Sequence, residues 1–217
     1  MDPKEIREQA IREAKCNLIL DAAREIFAQK GFHETRLDEI ALSAGFSKAS
    51  LYNYYPDKES IFLSLAIREY ERVIQAIKSV IKPDLNLEEN LRAILKTVFG
   101  LFSEHLAFIV TTTSLQKRFH MQAEMCKHEE LMAQMHSGVD DVLATLEQIV
   151  RTARSRSEIK SPIPDRTIAR FIGSLIRGAM LDWKMDGKIG DVDETVTHML
   201  AFIGRGIGIE SASSNSL

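Results

Sequence analysis

Apolar residues recur along nearly the whole chain at three- and four-residue steps, and no stretch of strand length alternates apolar with polar. A period near 3.6 buries one face of a helix, whereas a half-buried strand needs a period of two. The pattern predicts an all-α fold of about nine helices. The chain has 217 residues, 45% of them hydrophobic. That is enough to bury a core in one large helical domain or in a small domain fused to a larger one.

The first stripe is Leu18, Ile19, Ala22, Ala23, Ile26 and Phe27, ended by Lys30 and Gly31. Glycine is the residue that most easily takes the left-handed cap. Thr35 is expected to cap the second helix, with Asp38 three residues on completing a capping box. Leu37, Ile40, Ala41 and Ala44 form its inner face, and Gly45 ends it. Ser47 then caps a third helix, expected over Lys48 to Tyr54. Pro56 and Asp57 restart the chain into a long helix striped by Ile61, Phe62, Leu65, Tyr70, Val73, Ile74, Ile77 and Ile81. Further helices are expected near 88–104, 105–113, 120–156, 164–186 and 191–206. Residues 211–217 are small and polar, expected to form a tail without fixed structure.

Two short helices joined by a glycine turn and packed on a preceding helix are the geometry of a helix-turn-helix. Ala41 is small where the helices cross, and Phe46, Leu51 and Tyr55 bury the turn and the inner face. The outward face reads Lys48, Ala49, Ser50, Asn53 and Tyr54. Lysine suits guanine acceptors and asparagine suits adenine, while small residues at 49 and 50 permit close approach. The run from Gly31-Phe32 through Thr35, Leu37, Ile40-Ala41, Ala44-Gly45-Phe46-Ser47-Lys48-Ala49-Ser50-Leu51-Tyr52, Tyr54-Tyr55, Lys58 and Ile61 resembles the TetR family signature.

The resemblance covers the first third of the chain. It implies a homodimer whose recognition helices enter successive major grooves of a palindromic operator in double-stranded DNA. It also implies a C-terminal domain whose small-molecule ligand changes the separation of those helices. By position, Lys48, Ala49, Ser50 and Asn53 would face bases, and Arg36, Tyr52, Tyr54 and Lys58 would hold phosphates. Ala49 stands where glycine is common, and Asn53 where an aromatic or histidine is frequent. Tyr52 reads equally as a core residue with its hydroxyl at the rim, and Lys58 as a residue beside the next helix start. The expected division is a DNA-binding domain over 1–57, with 1–14 a possible arm, and a helical ligand-binding and dimerisation domain over 58–210. In the N-terminal stretch Arg7, Arg12 and Lys15 alternate with Glu5, Glu8 and Glu13. That spacing favours a solvated helical extension over an arm reaching the minor groove.

The C-terminal helices are less explicit. Phe171, Leu175, Gly178, Met199, Phe202 and Ile203 lie on apolar helices studded with small residues, which suits an isologous four-helix interface. The alternative puts both helices inside the subunit core. Phe102, His105, Phe108, Thr112, Phe119, Met125, Met132 and Trp183 would line a ligand pocket, or else simply be core.

His120, His128 and His136 recur every eight residues, not at the spacing of a helical metal pair, so no metal and no cofactor are expected. No catalytic constellation emerges, which argues against an enzyme fused to a DNA-binding module. A helical scaffold would leave the outward face unexplained. The net charge is −3, and residues 1–60 hold nine Lys and Arg against eleven Asp and Glu. DNA affinity must then rest on where a few cations point. Cys16 and Cys126 lie far apart, and no span suits a membrane, so the expected location is the cytoplasm. The reading is a repressor released by an apolar ligand; an activator, or a regulator answering to a protein partner, is the alternative.

Overall fold

The computed structural model describes residues 2–105, 126–185 and 190–208, the side chains of 102–105, 126, 184 and 185 excepted. The helix expected at 105–113 and the tail at 211–217 lie outside these residues. Eight α-helices and a 3-10 turn at Cys126–His128 are present among them, with no strand. The chain forms two compact units, Met1–Glu69 with Ala107–His136, and Tyr70–Leu106 with Ser137–Leu217. No helix among the described residues is long and apolar enough to cross a membrane.

In the first unit, α1 spans Pro3–Glu34 and begins at Asp2, whose side chain accepts from the Lys4 amide while Glu5 accepts from the Asp2 amide. Its buried face is Ile19, Leu20, Ala22, Ala23 and Phe27. Leu18, expected on that face, is 55% exposed, and Leu20 takes its place in the core. Gly31 breaks the helix as expected, at φ 78°.

The cap of α2 (Leu37–Ser43) is shifted by one residue from the expected Thr35–Asp38 box. The Thr35 hydroxyl turns back to the Gly31 carbonyl at 2.6 Å, and the box forms between the Arg36 amide and Glu39 at 3.2 Å. Threonine near a helix end has a choice of backbone partners, and here the carbonyl freed by the Gly31 kink wins. Gly45 makes the turn at φ 76°. In α3 (Lys48–Tyr52) the Ser47 hydroxyl accepts from the Ser50 amide. This helix ends two residues earlier than expected. Its last turn tightens into bonds from Asn53 to Ser50 and from Tyr54 to Leu51, the usual way a helix end satisfies its orphan groups.

The first turns of α4 (Lys58–Val80) complete this core: Ile61, Phe62, Leu63, Leu65 and Ala66 are all buried. Phe62 meets the Phe27 and Phe32 rings edge-on, with centroids 5.5 and 5.0 Å away. The N-terminal compact unit takes in these turns of α4 as far as Glu69. Helix α1 and two short helices alone have little apolar surface with which to enclose a core.

The second unit holds α5 (Leu87–His105), most of α6 (Glu129–Ser155), α7 (Asp165–Met185) and α8 (Val192–Ile207). Helix α8 packs on both α5 and α7. Leu91, Leu95 and Phe99 of α5, Ile168, Ile172 and Ile176 of α7, and Val196, Leu200 and Ile207 of α8 are all buried. The Phe99 ring lies 5.0 Å from Trp183. Asp191 caps the start of α8, and Gly208 closes it in the left-handed conformation.

Candidate nucleic-acid interface

Helix α3 is held by one fully buried side chain, Leu51, with Tyr55 buried just past its end. Burial pushes the Tyr55 hydroxyl well above its ordinary pKa. Everything else on α3 looks outward. Lys48, Ala49, Tyr52 and Asn53 are exposed and Ser50 is half-buried. The four residues expected to read bases therefore share one short segment, with Asn53 at its C-cap rather than inside the helix. The Ser50 hydroxyl also accepts from Ser47 at 2.9 Å, which ties it to the cap.

Lys48 reaches across to α2, where its Nζ lies 2.7 Å from Asp38 Oδ1, and Arg36 lies 3.5 Å from the same carboxylate. The hydrogen bond from Lys48 holds the Asp38 carboxyl below its usual range, and the same bond raises Lys48. From the sequence Asp38 reads as a cap; in the fold it is the counter-ion of two cations expected at DNA. A carboxylate so placed keeps both side chains oriented and leaves less net positive charge for indiscriminate phosphate binding.

Of the other residues expected at phosphates, Tyr52 is 46% exposed, and Tyr54 packs its ring edge-on against Phe46. Lys58 points elsewhere. Its ammonium donates to the carbonyls of Phe32 at 2.7 Å, Thr35 at 2.9 Å and His33 at 3.3 Å, and lies 4.5 Å from the Phe32 ring centre. An ammonium has three protons, and here each has a carbonyl at the end of α1. Lys58→Met should therefore lower stability by about 1–3 kcal/mol, the scale of charge-assisted bonds, in thermal melts. It should leave the salt dependence of DNA binding unchanged; a slope reduced by one per subunit at unaltered stability would return Lys58 to the phosphates.

His128 was unassigned by spacing, yet its Nε2 lies 2.9 Å from Asp57 Oδ2, on the residue whose other oxygen accepts from the Ser60 amide at the start of α4. No group of three potential metal ligands occurs among the described residues.

The expected pocket falls mostly out of view: Phe108, Thr112, Phe119 and Met125 lie outside the described residues, as do the side chains of Phe102 and His105. Met132 is half-buried on α6, and Trp183 is half-buried against Phe99. A separate cavity of about 490 Å³ opens in the second unit, with Ile81, Leu85, Leu87, Ile149, Lys78 and Lys82 among its lining residues. Of the residues expected at a dimer interface, Phe171 and Phe202 are 56% and 67% exposed, Gly178 is exposed and Leu175 half-buried, whereas Met199 and Ile203 are buried in the subunit core.

The family model of the bacterial regulatory proteins of the tetR family matches residues 19–65. That span runs from the first buried residue of α1 to the buried turns of α4, enclosing the whole helix-turn-helix. The helix-turn-helix is a TetR-family DNA-binding domain. Like TetR-family regulators, the chain is a DNA-binding protein of bacterial type and not an enzyme. The fatty acid metabolism regulator protein of Bacillus subtilis (strain 168) is 25% identical over 197 residues, covering 90% of this chain and 97% of its own. The HTH-type transcriptional repressor BepR of Brucella suis biovar 1 (strain 1330) is 28% identical over 170 residues, 76% of this chain and 78% of its own. The crystal structure of the transcriptional regulator FadR from Bacillus subtilis in complex with stearoyl-CoA superposes with a TM-score of 0.73 at 25% identity, covering 88% of this chain and 98% of that one.

Proposed function

We propose that this chain is a TetR-family regulator acting as a cytoplasmic repressor. In this reading it binds a palindromic operator as a homodimer and is released when a small, largely apolar ligand enters its C-terminal domain. The observation that carries the reading is the exposed row Lys48, Ala49 and Asn53 on a helix anchored through Leu51. Rigid support behind an exposed polar face is what base readout requires. Exposed Phe171 and Phe202 on adjoining helices support the dimer. The cavity near Ile81 and Ile149, together with the stearoyl-CoA bound by the related FadR, supports a ligand with an apolar body. Release needs only a coupling of about 1–3 kcal/mol, which changes operator affinity roughly 5- to 150-fold.

Selection of genomic fragments by the purified protein at physiological salt tests this. A palindrome with half-sites about one helical turn apart is the expected product, and stearoyl-CoA is the first ligand to try for release. With that operator in hand, Asn53→Ala should relax preference at one position of each half-site, costing about 1–3 kcal/mol of discrimination there. No enriched sequence at all would end the reading, while unchanged preference in the variant would remove Asn53 alone from the base-reading set.

A further inference from the structure

The extension before the core of α1 carries a second feature of the same face. Residues 3–15 are helical and exposed. Arg12 and Lys15, one turn apart, both lean onto Tyr54: the Arg12 Cζ is 5.5 Å and the Lys15 Nζ 5.9 Å from its ring centre. Tyr54 follows Asn53 directly, so two cations flank the end of the recognition helix. Neither makes an ion pair or a hydrogen bond among the described residues. The nearby acids are engaged with other groups: Glu8 with Lys4 at 3.9 Å, Glu13 with Gln9 at 3.0 Å and Glu5 with the Asp2 amide at 2.9 Å.

We infer that Arg12 and Lys15 form a phosphate clamp that extends each half-site contact past α3 onto the flanking duplex. The inference rests on reading α3 as the DNA-facing helix. A ring face differs from a carboxylate as a holder of cations. Its quadrupole attracts and orients them but carries no net charge, so both remain available to phosphate. Lys48, in contrast, shares Asp38, and Lys58 is committed to backbone carbonyls. In a chain without a basic balance, these two side chains are where added phosphate affinity can come from. Two long side chains already oriented by the ring lose less freedom on binding.

The test is the salt dependence of binding to the selected operator, with duplexes that extend past the half-sites and duplexes that end at them. Each phosphate neutralised contributes about 0.9 to the slope of log affinity against log salt. With two cations in each of two subunits, Arg12→Gln combined with Lys15→Gln should flatten the slope by about 3–4 on the extended duplex and far less on the trimmed one. Exchanging the charges, Arg12→Lys with Lys15→Arg, should preserve it. Glutamine is a good helix former, and an unchanged melting temperature verifies the fold. If operator binding persists with an unaltered slope in the glutamine variant, the clamp is wrong and the α3 reading stands. If the wild-type protein binds no duplex at any salt, both fall.

Discussion

Phe62→Ala should abolish operator binding at growth temperature while leaving the proposed dimer intact. Phe62 is 2% exposed and packs edge-on against both the Phe27 and Phe32 rings, which also stack on each other, bringing α1 and the segment after the Gly31 kink onto α4. Truncating a buried phenylalanine costs about 3–5 kcal/mol, because the transfer energy is lost and a cavity remains. The edge-to-face contacts, roughly 0.5–1.5 kcal/mol each where measured, are part of that loss. The unit that depends on Phe62 is small, and domains hold only about 5–15 kcal/mol in all. The helix-turn-helix should therefore melt first, or populate the unfolded form enough to lose its DNA. Phe171 and Phe202 lie in the other compact unit, so the dimer proposed on them should survive. Thermal unfolding should show an early transition absent from the wild type, light scattering an unchanged mass, and operator titration no saturable binding. A variant that melts as the wild type and binds DNA normally would mean that the three-ring cluster is not what holds α4 to the motif.

Part of this architecture was legible because it is local. Gly31 and Gly45 are the residues that tolerate the positive φ each position takes, so the ends of the first two helices could be read directly. Ser47 as a cap, and Leu51 and Tyr55 as buried anchors, follow from short-range pattern in the same way. The cap of α2 was misplaced by one residue because two hydrogen-bonding choices competed within a single turn, and sequence does not rank them. Leu18 and Leu20 show the limit of periodicity: both flank the buried stripe, and only the packing partner decides which one faces in.

Lys48, Lys58 and His128 fail to be legible for a different reason. Their partners lie on other elements: Asp38 on α2, the carbonyls ending α1, and Asp57 before α4. A lysine read in isolation is a mobile charge, and its folded role depends on which acceptor reaches it first. The residues expected at bases thus sit together on and just after α3, while Tyr54 and Lys58, expected at phosphates, have partners that the sequence does not show. Asp38 tempers two cations, Lys58 braces the motif, and Tyr54 gathers the pair on α1.

The same ambiguity affects the C-terminal helices, and it sets the largest effect expected in the second unit. Periodicity marks Phe171, Leu175, Met199, Phe202 and Ile203 alike as apolar. The fold separates them: Met199 and Ile203 fill the subunit core, while Phe171, Phe202 and Leu181 are left facing outward. Helices α7 and α8 pack together, so these rings lie on one unit, with exposed Gly178 to admit a close neighbour. Large exposed aromatics on two adjoining helices are candidates for an interaction surface. An isologous interface would use each ring twice, so a double substitution removes four phenylalanines from one seam. Phe171→Glu with Phe202→Glu should also set like charges against each other across the two-fold axis. The expected result is a folded monomer by sedimentation, since neither side chain belongs to the core. A monomer grips one half-site at a time and forfeits the effective concentration that joins the two. Operator affinity should then fall by about 10²–10⁴-fold, or about 3–6 kcal/mol at 1.4 kcal/mol per decade, with single half-site binding little changed. A double variant that sediments as a dimer would move the interface off α7 and α8, and the outward phenylalanines would need another partner.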